Sequence, residues 1–412
     1  MRVLIFDVSS RLGAVGGAQR VAASLFYELK KRGIDTYYLG YETDYIKPSK
    51  DTLMLKRSKQ KEIKSKLESY NMNKLLELRI VRAIYYTLYF LRGITLEEIK
   101  QWITQIKPDI VISNSINDYI VLKRLKPYMP DAKILYIEHA NASGDYKSAF
   151  DYNIMALTFG TGLFVGLDRA KRRFFSFFDG VIAIKKEQYN AVKRYNSNVT
   201  IIHNSFLLSY KKPGQKELAA LRAKLGIRDS EHIVLYLGRM AEAQKNVSTL
   251  IKAFKMVEDK DLHLLLVGEG KSLPMYMKLA EGDKRIIFTG RVSDADLPSY
   301  YGIADLFVLP SFWESFISLT AIEASTFGVP LLLSKQSINL DIMEQFGDRL
   351  FTFNSNNVQQ LKELIERFFN DSRLRDKLKS LSSEIAKEYS KDRQIDTYAK
   401  VLKRFYSTGR LE

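Results

Sequence analysis

The stretch DLFVLPSFWESFISLTAIEASTFGVP, residues 305–330, contains the repeating unit that decides the fold. It begins with an apolar run, DLFVLPS, which predicts a buried β-strand that runs into a Pro-Ser turn. It continues with LTAIEASTFG, which predicts a helix that ends at Gly328. Glu314 and Glu323 lie nine positions apart, so on one continuous helix they would lie on opposite faces. Because the helix pattern begins only after Glu314, the two glutamates do not lie on one continuous helix, and both can serve one site.

The same alternation of strand and helix patterns continues in both halves of the chain. Strands are predicted in the first half by RVLIFDV, PDIVISNS, AKILYIEH and FDGVIAIK, and in the second half by HIVLYLGRM, LHLLLVGEG and RIIFTGRV. Such alternation predicts an α/β fold with two Rossmann-like parallel-sheet domains that face a cleft. We predict domains at 1–206 and 207–385, with a polar linker at 207–232 and a C-terminal helix at 386–412 that crosses back to the first domain.

Composition excludes several classes of protein. The 412 residues include no cysteine, which excludes disulfides and thiolate metal sites, and the four histidines show no ligand spacing. The N-terminal apolar run is a strand pattern rather than a signal peptide. The longest apolar run, at 154–167, is shorter than the about 20 residues that a membrane span needs. We therefore expect a cytoplasmic protein, at the inner face of the cell membrane if it is membrane-associated.

The net charge of +17 calls for an acidic partner, and part of it is concentrated in residues 50–107. That block carries 13 Lys or Arg and 6 Asp or Glu, a net of +7, and leads into an aromatic, amphipathic stretch. Such a pattern is typical of a helix lying on an anionic membrane surface. The alternative is a solvated basic face followed by a core helix. No RNA-binding signature or zinc-finger pattern is present, so we expect no nucleic-acid partner.

Polar residues that follow the predicted strands are the candidates for binding, since open α/β sheets bind ligands beyond the carboxyl ends of their strands. Gly16 and Gly17 would let the backbone approach a ligand beside a helix start. Arg239 and Lys245, between a strand and a helix, would make a diphosphate clamp. His139 would hold a sugar hydroxyl. The alternatives are a flexible glycine loop, two exposed cations and a structural histidine.

The break between the two glutamates is the candidate phosphate site. The segment Ser315, Phe316, Ile317, Ser318 and Leu319 leads into the helix, where backbone N–H groups and the helix dipole favour an anion. Glu323, inside the helix, is placed to accept ribose hydroxyls, and Glu314, before it, is placed beside a sugar.

Taken together, these motifs resemble those of the retaining nucleotide-sugar glycosyltransferases of family 4, which have the GT-B fold. The resemblance extends over most of the chain, in the order GGAQRV, EH, FDGVIAIKKEQ, IIHNSF, GRMAEAQKN, LLLVGEG and E…EASTFGVP. It implies an N-terminal acceptor-binding domain and a C-terminal donor-binding domain.

The resemblance also implies a role for each candidate residue. Arg239 and Lys245 would neutralise the leaving diphosphate, Glu314 and His139 would lie beside the transferred sugar, and Glu323 would hold the ribose. Gly17 would lie near the phosphates. Gly268, Arg291 and Val292 would pack against the nucleoside base.

Two spacings depart from the family pattern. Eight residues separate Glu314 from Glu323 where the family usually has seven, and the Gly-Arg-to-Lys spacing is one residue longer than the commonest one. Since the motifs on either side of the glutamates keep their internal spacing, we expect bulged loops around the diphosphate rather than a different fold.

The implied activity is transfer of a hexose, with retention, from a UDP- or GDP-linked sugar to a hydroxyl of a lipid-linked or glycan acceptor. Such an enzyme would build a surface polysaccharide or glycolipid. We expect no cofactor and no metal, since no suitably placed Asp-x-Asp sequence is present. A sugar-nucleotide epimerase or a phosphorylase of the same fold is a second reading, and a non-catalytic nucleotide-sugar-binding or membrane scaffold protein is a third.

Overall fold

The computed structural model describes residues 1–8, 17–41, 45–55, 96–116, 118–139, 167–205, 211–314 and 318–412. The chain divides into two compact units. The first comprises Met1–His203 together with Gln394–Glu412, and the second comprises Asn204–Arg393.

The first unit is built on a seven-stranded parallel sheet with the strand order β3-β2-β1-β4-β5-β6-β7. Its strands are β1 (Arg2–Asp7), β2 (Asp35–Tyr41), β3 (Thr52–Leu55), β4 (Ile110–Ser113), β5 (Lys133–Glu138), β6 (Gly180–Ala183) and β7 (Val199–Ile201). The described helices between them are α1 (Gly17–Lys31), α2 (Leu96–Ile106), α3 (Asp118–Leu125), α4 (Leu167–Phe175) and α5 (Lys186–Lys193).

The second unit contains a six-stranded parallel sheet with the order β10-β9-β8-β11-β12-β13. Its strands are β8 (His232–Leu237), β9 (Leu262–Val267), β10 (Ile286–Gly290), β11 (Leu306–Leu309), β12 (Leu331–Ser334) and β13 (Phe351–Phe353). Its helices are α6 (Gln215–Leu225), α7 (Glu242–Lys245), α8 (Val247–Lys255), α9 (Leu273–Ala280), α10 (Leu297–Gly302), α11 (Leu319–Thr326), α12 (Leu340–Phe346), α13 (Val358–Asn370) and α14 (Ser372–Glu388).

The strands form because short apolar runs are covered on both faces by helices. Every residue of β4, β6, β11 and β12 is buried, as expected for parallel sheets, whose strands are continuous hydrophobic runs. The predicted α/β fold with two Rossmann-like parallel sheets is therefore confirmed. One difference lies in the predicted linker, where α6 occupies residues 215–225 and ends at Gly226 in the left-handed conformation.

The last helix, α15 (Lys391–Thr408), contacts the first unit. Its apolar residues Ile395, Tyr398, Leu402 and Phe405 are buried. The Nζ atom of Lys133, at the start of β5, donates to the Phe405 carbonyl at 3.0 Å. The predicted segment 386–412 thus begins inside α14, and the division between the units follows at residues 393 and 394.

Most of the basic block at 50–107 lies outside the described residues, which include only β3 and α2 from it. Among the helices that the structure describes, none combines the length and the apolar character of a membrane span.

Candidate active site

The candidate site in the second unit lies where β8 and β11 are neighbours. Strand order reverses at this point, because the chain runs outward from β8 through β9 to β10 and then returns to β11 on the other side. Ligands of open α/β sheets bind at such switch points. Arg239 and Lys245 follow β8, and Glu314 follows β11, so the sheet order brings residues that are 69 positions apart to one edge.

Lys245 and Glu314 form an ion pair at this edge. The Nζ atom of Lys245 lies 2.5 Å from Oε1 of Glu314, and the side chains are 10% and 8% exposed, respectively. The Ser311 hydroxyl donates to the same carboxylate oxygen at 2.6 Å. Breaking a buried pair by removing one partner typically costs about 3–5 kcal/mol, because the other charge is left uncompensated. The pair therefore keeps a cation and an anion at this edge of the sheet, and each compensates the charge of the other.

The loops that carry this pair are connected by residues that the sequence analysis did not identify. The Gln244 carbonyl accepts from Phe312 N at 2.8 Å, and the Gln244 side chain accepts from Nη2 of the exposed Arg239 at 2.8 Å. Asn246 adopts φ 50°, which breaks α7 from α8, and its amide donates to the carbonyls of Pro310 and Ser355 at 3.2 and 2.7 Å. Asparagine is enriched in this left-handed conformation, which is the signal that sequence reasoning overlooked.

Glycines form the neighbouring part of the edge, at the ends of β8, β9 and β10. A Cβ atom at Gly268, which has φ +136°, would lie 2.0 Å from the Gly238 carbonyl oxygen, and Gly268 N donates to the Gly290 carbonyl at 2.9 Å. These strand ends approach so closely that only backbone fits between them. Arg291 follows β10 with an exposed side chain 3.7 Å from Glu269, and Val292 is half-buried beside it.

Helix α11 holds the second glutamate in its interior. Glu323 is 2% exposed, and its Oε2 accepts from the Tyr301 hydroxyl at 2.6 Å. Tyr301 is also stacked on Phe327, with ring centroids 5.5 Å apart. Ser318 is the N-cap of the helix, its hydroxyl lies 2.9 Å from that of Thr320, and Leu319 is the first helical residue. The predicted contacts at Ser315, Phe316 and Ile317 lie outside the described residues.

In the first unit, His139 directly follows β5 and is half-buried. Its Nε2 lies 2.9 Å from Oδ1 of Asn114, which follows the adjacent strand β4. Desolvation lowers the pKa of His139 to about 4, so the ring is neutral at physiological pH and Nε2–H donates to the amide oxygen. Gly17 begins α1, and Gly16 lies outside the described residues.

Asp118 lies at the same edge of that sheet and is fully buried. It accepts hydrogen bonds from the Ser113 hydroxyl at 3.1 Å and from the backbone N–H groups of Val8, Asn114 and Ser115 at 2.9–3.0 Å. Burial, and then the charge of Asp7, raise the pKa of Asp118 well above its ordinary value, although these hydrogen bonds act in the opposite direction. The carboxyl group thus ties the ends of β1 and β4 to the start of α3.

The structure thus assembles Arg239, Lys245 and Glu314 at one edge and the glycine strand ends beside them. Glu323 is engaged with Tyr301 in the interior of the same unit. His139 belongs to the first unit. Among the described residues, no group of three or more His, Asp or Glu side chains is arranged to hold a metal ion.

The second unit carries the clearest likeness to known proteins. Residues 219–384 match the family of glycosyl transferases group 1. This segment contains Arg239, Lys245, Glu314 and Glu323. The prediction of a glycosyltransferase is thus supported by the family of the segment that holds the candidate site.

Curated relatives extend this finding. The chain is 32% identical over 133 residues to alpha-monoglucosyldiacylglycerol synthase of Streptococcus pneumoniae, covering 31% of this chain and 30% of that protein. It is 29% identical over 180 residues to the synthase of the same name from Acholeplasma laidlawii, covering 42% and 44%. The matches thus span less than half the length of these relatives.

Solved structures share the fold over almost the full length. HepE of Anabaena in complex with UDP superimposes with a TM-score of 0.68 at 17% identity, covering 98% of this chain and 100% of that one. Sucrose-phosphate synthase from Thermosynechococcus elongatus gives a TM-score of 0.70 at 18% identity, covering 99% of each chain. Both units therefore follow an architecture found in these proteins.

Proposed function

We propose that the protein is a retaining glycosyltransferase of the family 4 type, which transfers a hexose from a nucleoside diphosphate-sugar to a glycolipid or glycan hydroxyl. The observation that carries the proposal is the buried Lys245–Glu314 pair at the switch point between β8 and β11. A purely structural role for this ion pair would not explain why the exposed Arg239 and the glycines at the strand ends lie beside it.

The arrangement supports separate binding roles for the residues along this edge of the sheet. The backbone of the strand end at Gly268 would pack against the nucleoside base, and Arg239 and Lys245 would supply positive charge where a diphosphate leaves. Preorganised cations that meet charge developing in the transition state supply the largest electrostatic contribution in many enzymes. In our proposal, the Lys245 ammonium group gives up part of its contact with Glu314 and binds the leaving phosphate. The carboxylate oxygen of Glu314 then accepts hydrogen bonds from hydroxyls of the donor sugar.

The comparisons favour UDP as the donor nucleotide and a lipid-linked acceptor. The solved HepE structures hold UDP and UDP-glucose, and the curated relatives are named as synthases of glucosyl- and galactosyl-diacylglycerols. We propose that this protein uses the same classes of donor and acceptor and that it acts without a metal or cofactor.

The decisive experiment measures UDP-glucose hydrolysis and transfer by Lys245→Met and Glu314→Gln. Each variant should lose activity by about a hundredfold or more, the effect typical of removing one electrostatic contact to the transition state. Arg349→Gln is the matched control, because it breaks an exposed Arg349–Glu384 pair of 2.7 Å in the same unit. Thermal unfolding should show that all three variants are folded.

Normal turnover by both variants would overturn the assignment of the pair. Tight UDP binding by the wild type without turnover on any donor or acceptor would instead favour the non-catalytic binding protein.

We also propose that the protein acts at the cytoplasmic membrane surface through the basic block 50–107. The names of the curated relatives support a lipid acceptor, and the block has a net charge of +7. Sedimentation with liposomes should require anionic lipid and weaken with salt, since screening shortens the reach of surface charges. Equal binding to neutral vesicles would contradict this proposal.

A further inference from the structure

Trp313 carries an exposed indole ring immediately before Glu314. The residue is 51% exposed, whereas the adjacent Glu314 side chain is only 8% exposed. Tryptophan is on average a highly buried residue, since its ring is one of the largest apolar groups in proteins. The two neighbours are therefore in different surroundings: the carboxylate is in the ion pair, and about half of the tryptophan is exposed to solvent.

The exposure of the ring does not result from an untethered loop. Phe312 N donates to the Gln244 carbonyl at 2.8 Å, and the Trp313 carbonyl accepts from the Gln244 side chain at 3.4 Å. The next residue is held by Lys245 at 2.5 Å. Three consecutive residues are thus tied to α7. Because the backbone at Trp313 is already ordered, a ligand that binds to the ring would lose little free energy in ordering this loop.

The position of the ring along the edge indicates which sugar it would meet. In the proposed function, on which this inference rests, the nucleoside lies at Gly268 after β9, and the diphosphate lies at Arg239 and Lys245. The donor then extends across the sheet toward Glu314. Trp313 follows β11, on the far side of β8 from the nucleoside. The sugar end of the donor would lie there.

We propose that Trp313 is a specificity-determining residue that stacks on a pyranose ring of the acceptor. The C–H face of a pyranose is apolar and its rim is polar, so an aromatic face beside a carboxylate matches both parts. The proposal predicts that the enzyme extends an acceptor that already carries a sugar.

Fluorescence tests the contact directly, because the chain has two tryptophans, Trp102 and Trp313. Trp102 lies in α2 of the first unit, so Trp102→Phe leaves Trp313 as the single reporter. With UDP present, octyl α-glucoside below its micelle concentration should change the emission saturably, and cyclohexanol at the same concentration should not. Emission that does not respond to the glucoside, or responds only to anionic vesicles as a membrane contact would, overturns the proposal.

Kinetics test the consequence for specificity. Trp313→Ala should raise KM for the glucoside acceptor about tenfold, the loss expected for one aromatic contact, with kcat and donor hydrolysis nearly unchanged. Trp313→Phe should restore most of the affinity. Met277→Ala, which shortens a side chain that is 54% exposed in the same unit, is the matched control. An unchanged acceptor KM in Trp313→Ala overturns the proposal.

The two proposals fail in different ways. A wild type that neither hydrolyses nor transfers from any sugar nucleotide would refute the glycosyltransferase, and the fluorescence titration would still decide whether Trp313 binds a pyranoside. Turnover that depends on Lys245 with an acceptor KM indifferent to Trp313 would refute only the stacking contact.

Discussion

At the scale of single residues, the site depends on polar groups that satisfy each other before a ligand arrives. Lys245 and Glu314 are paired, and Glu323 accepts from Tyr301. An unpaired buried carboxylate would be costly, so these partners keep charged groups stable in the interior. At the proposed site, a ligand would therefore replace these partners, as the hydroxyls and phosphates of the proposed donor could do.

His139 gives a prediction for pH at the same scale. Its pKa is about 4 in the folded protein and 6.5 in its ordinary state, so between these values the unfolded chain binds more protons. Stability should therefore decrease as the pH falls from 6.5 to 4, by at most about 3 kcal/mol from this group. The difference in unfolding free energy between wild type and His139→Gln, measured across this window, isolates the contribution. A difference that is independent of pH would contradict it.

The residues of the site were predictable only in part. Arg239, Lys245 and Glu314 were identified because each follows an apolar strand pattern. Their pairing was not, because it depends on β11 lying beside β8, and sequence order does not reveal the order of strands in a sheet. Gln244 was missed for the same reason, since its partners Phe312 and Trp313 are on a loop about 70 positions away.

At the scale of elements, the close approach of strand ends is the feature most sensitive to mutation. Gly268→Ala would need a left-handed backbone and would place its Cβ 2.0 Å from the Gly238 oxygen. We expect a loss of at least about 3 kcal/mol, as strain and overpacking add, together with weaker UDP binding. Chemical denaturation and calorimetry of UDP binding measure the two effects.

Gly282→Ala is the matched control for this variant. Gly282 has φ +85°, but among the described residues no heavy atom would lie within 4 Å of the new Cβ. It should lose only the about 1–2 kcal/mol of the left-handed conformation and bind UDP normally. Equal losses in the two variants would show that the contact between the strand ends does not matter.

Element types were predicted well, because buried parallel strands and amphipathic helices leave strong apolar patterns. The helix α6 was missed because the polar linker that contains it has no buried residue within 215–225. The available signals were Glu217, whose carboxylate accepts from Gly214 N at 2.8 Å at the start of the helix, and the terminal glycine Gly226.

At the scale of the whole molecule, the burial of α15 against the first unit predicts that this helix stabilises that unit. Phe405→Ala should reduce that stability by about 3–5 kcal/mol, because the side chain is fully buried. Tyr406→Ala, one residue further on at 48% exposure, should change it by less than about 0.5 kcal/mol. Hydrogen exchange should show the loss in β5 and β6 of the first unit rather than in β8 or β11. Equal losses in both units would contradict this assignment.

The return of the chain to the first unit also sets the order in which the protein can be completed during synthesis. Residues 394–412 follow the second unit in the chain, yet they belong to the first unit. The second unit has all its residues while the first still lacks a helix, so the first unit can be completed only after the second has been synthesised. A recombination event that exchanged only the N-terminal halves of two such genes would likewise leave each new protein with a last helix shaped for its former partner.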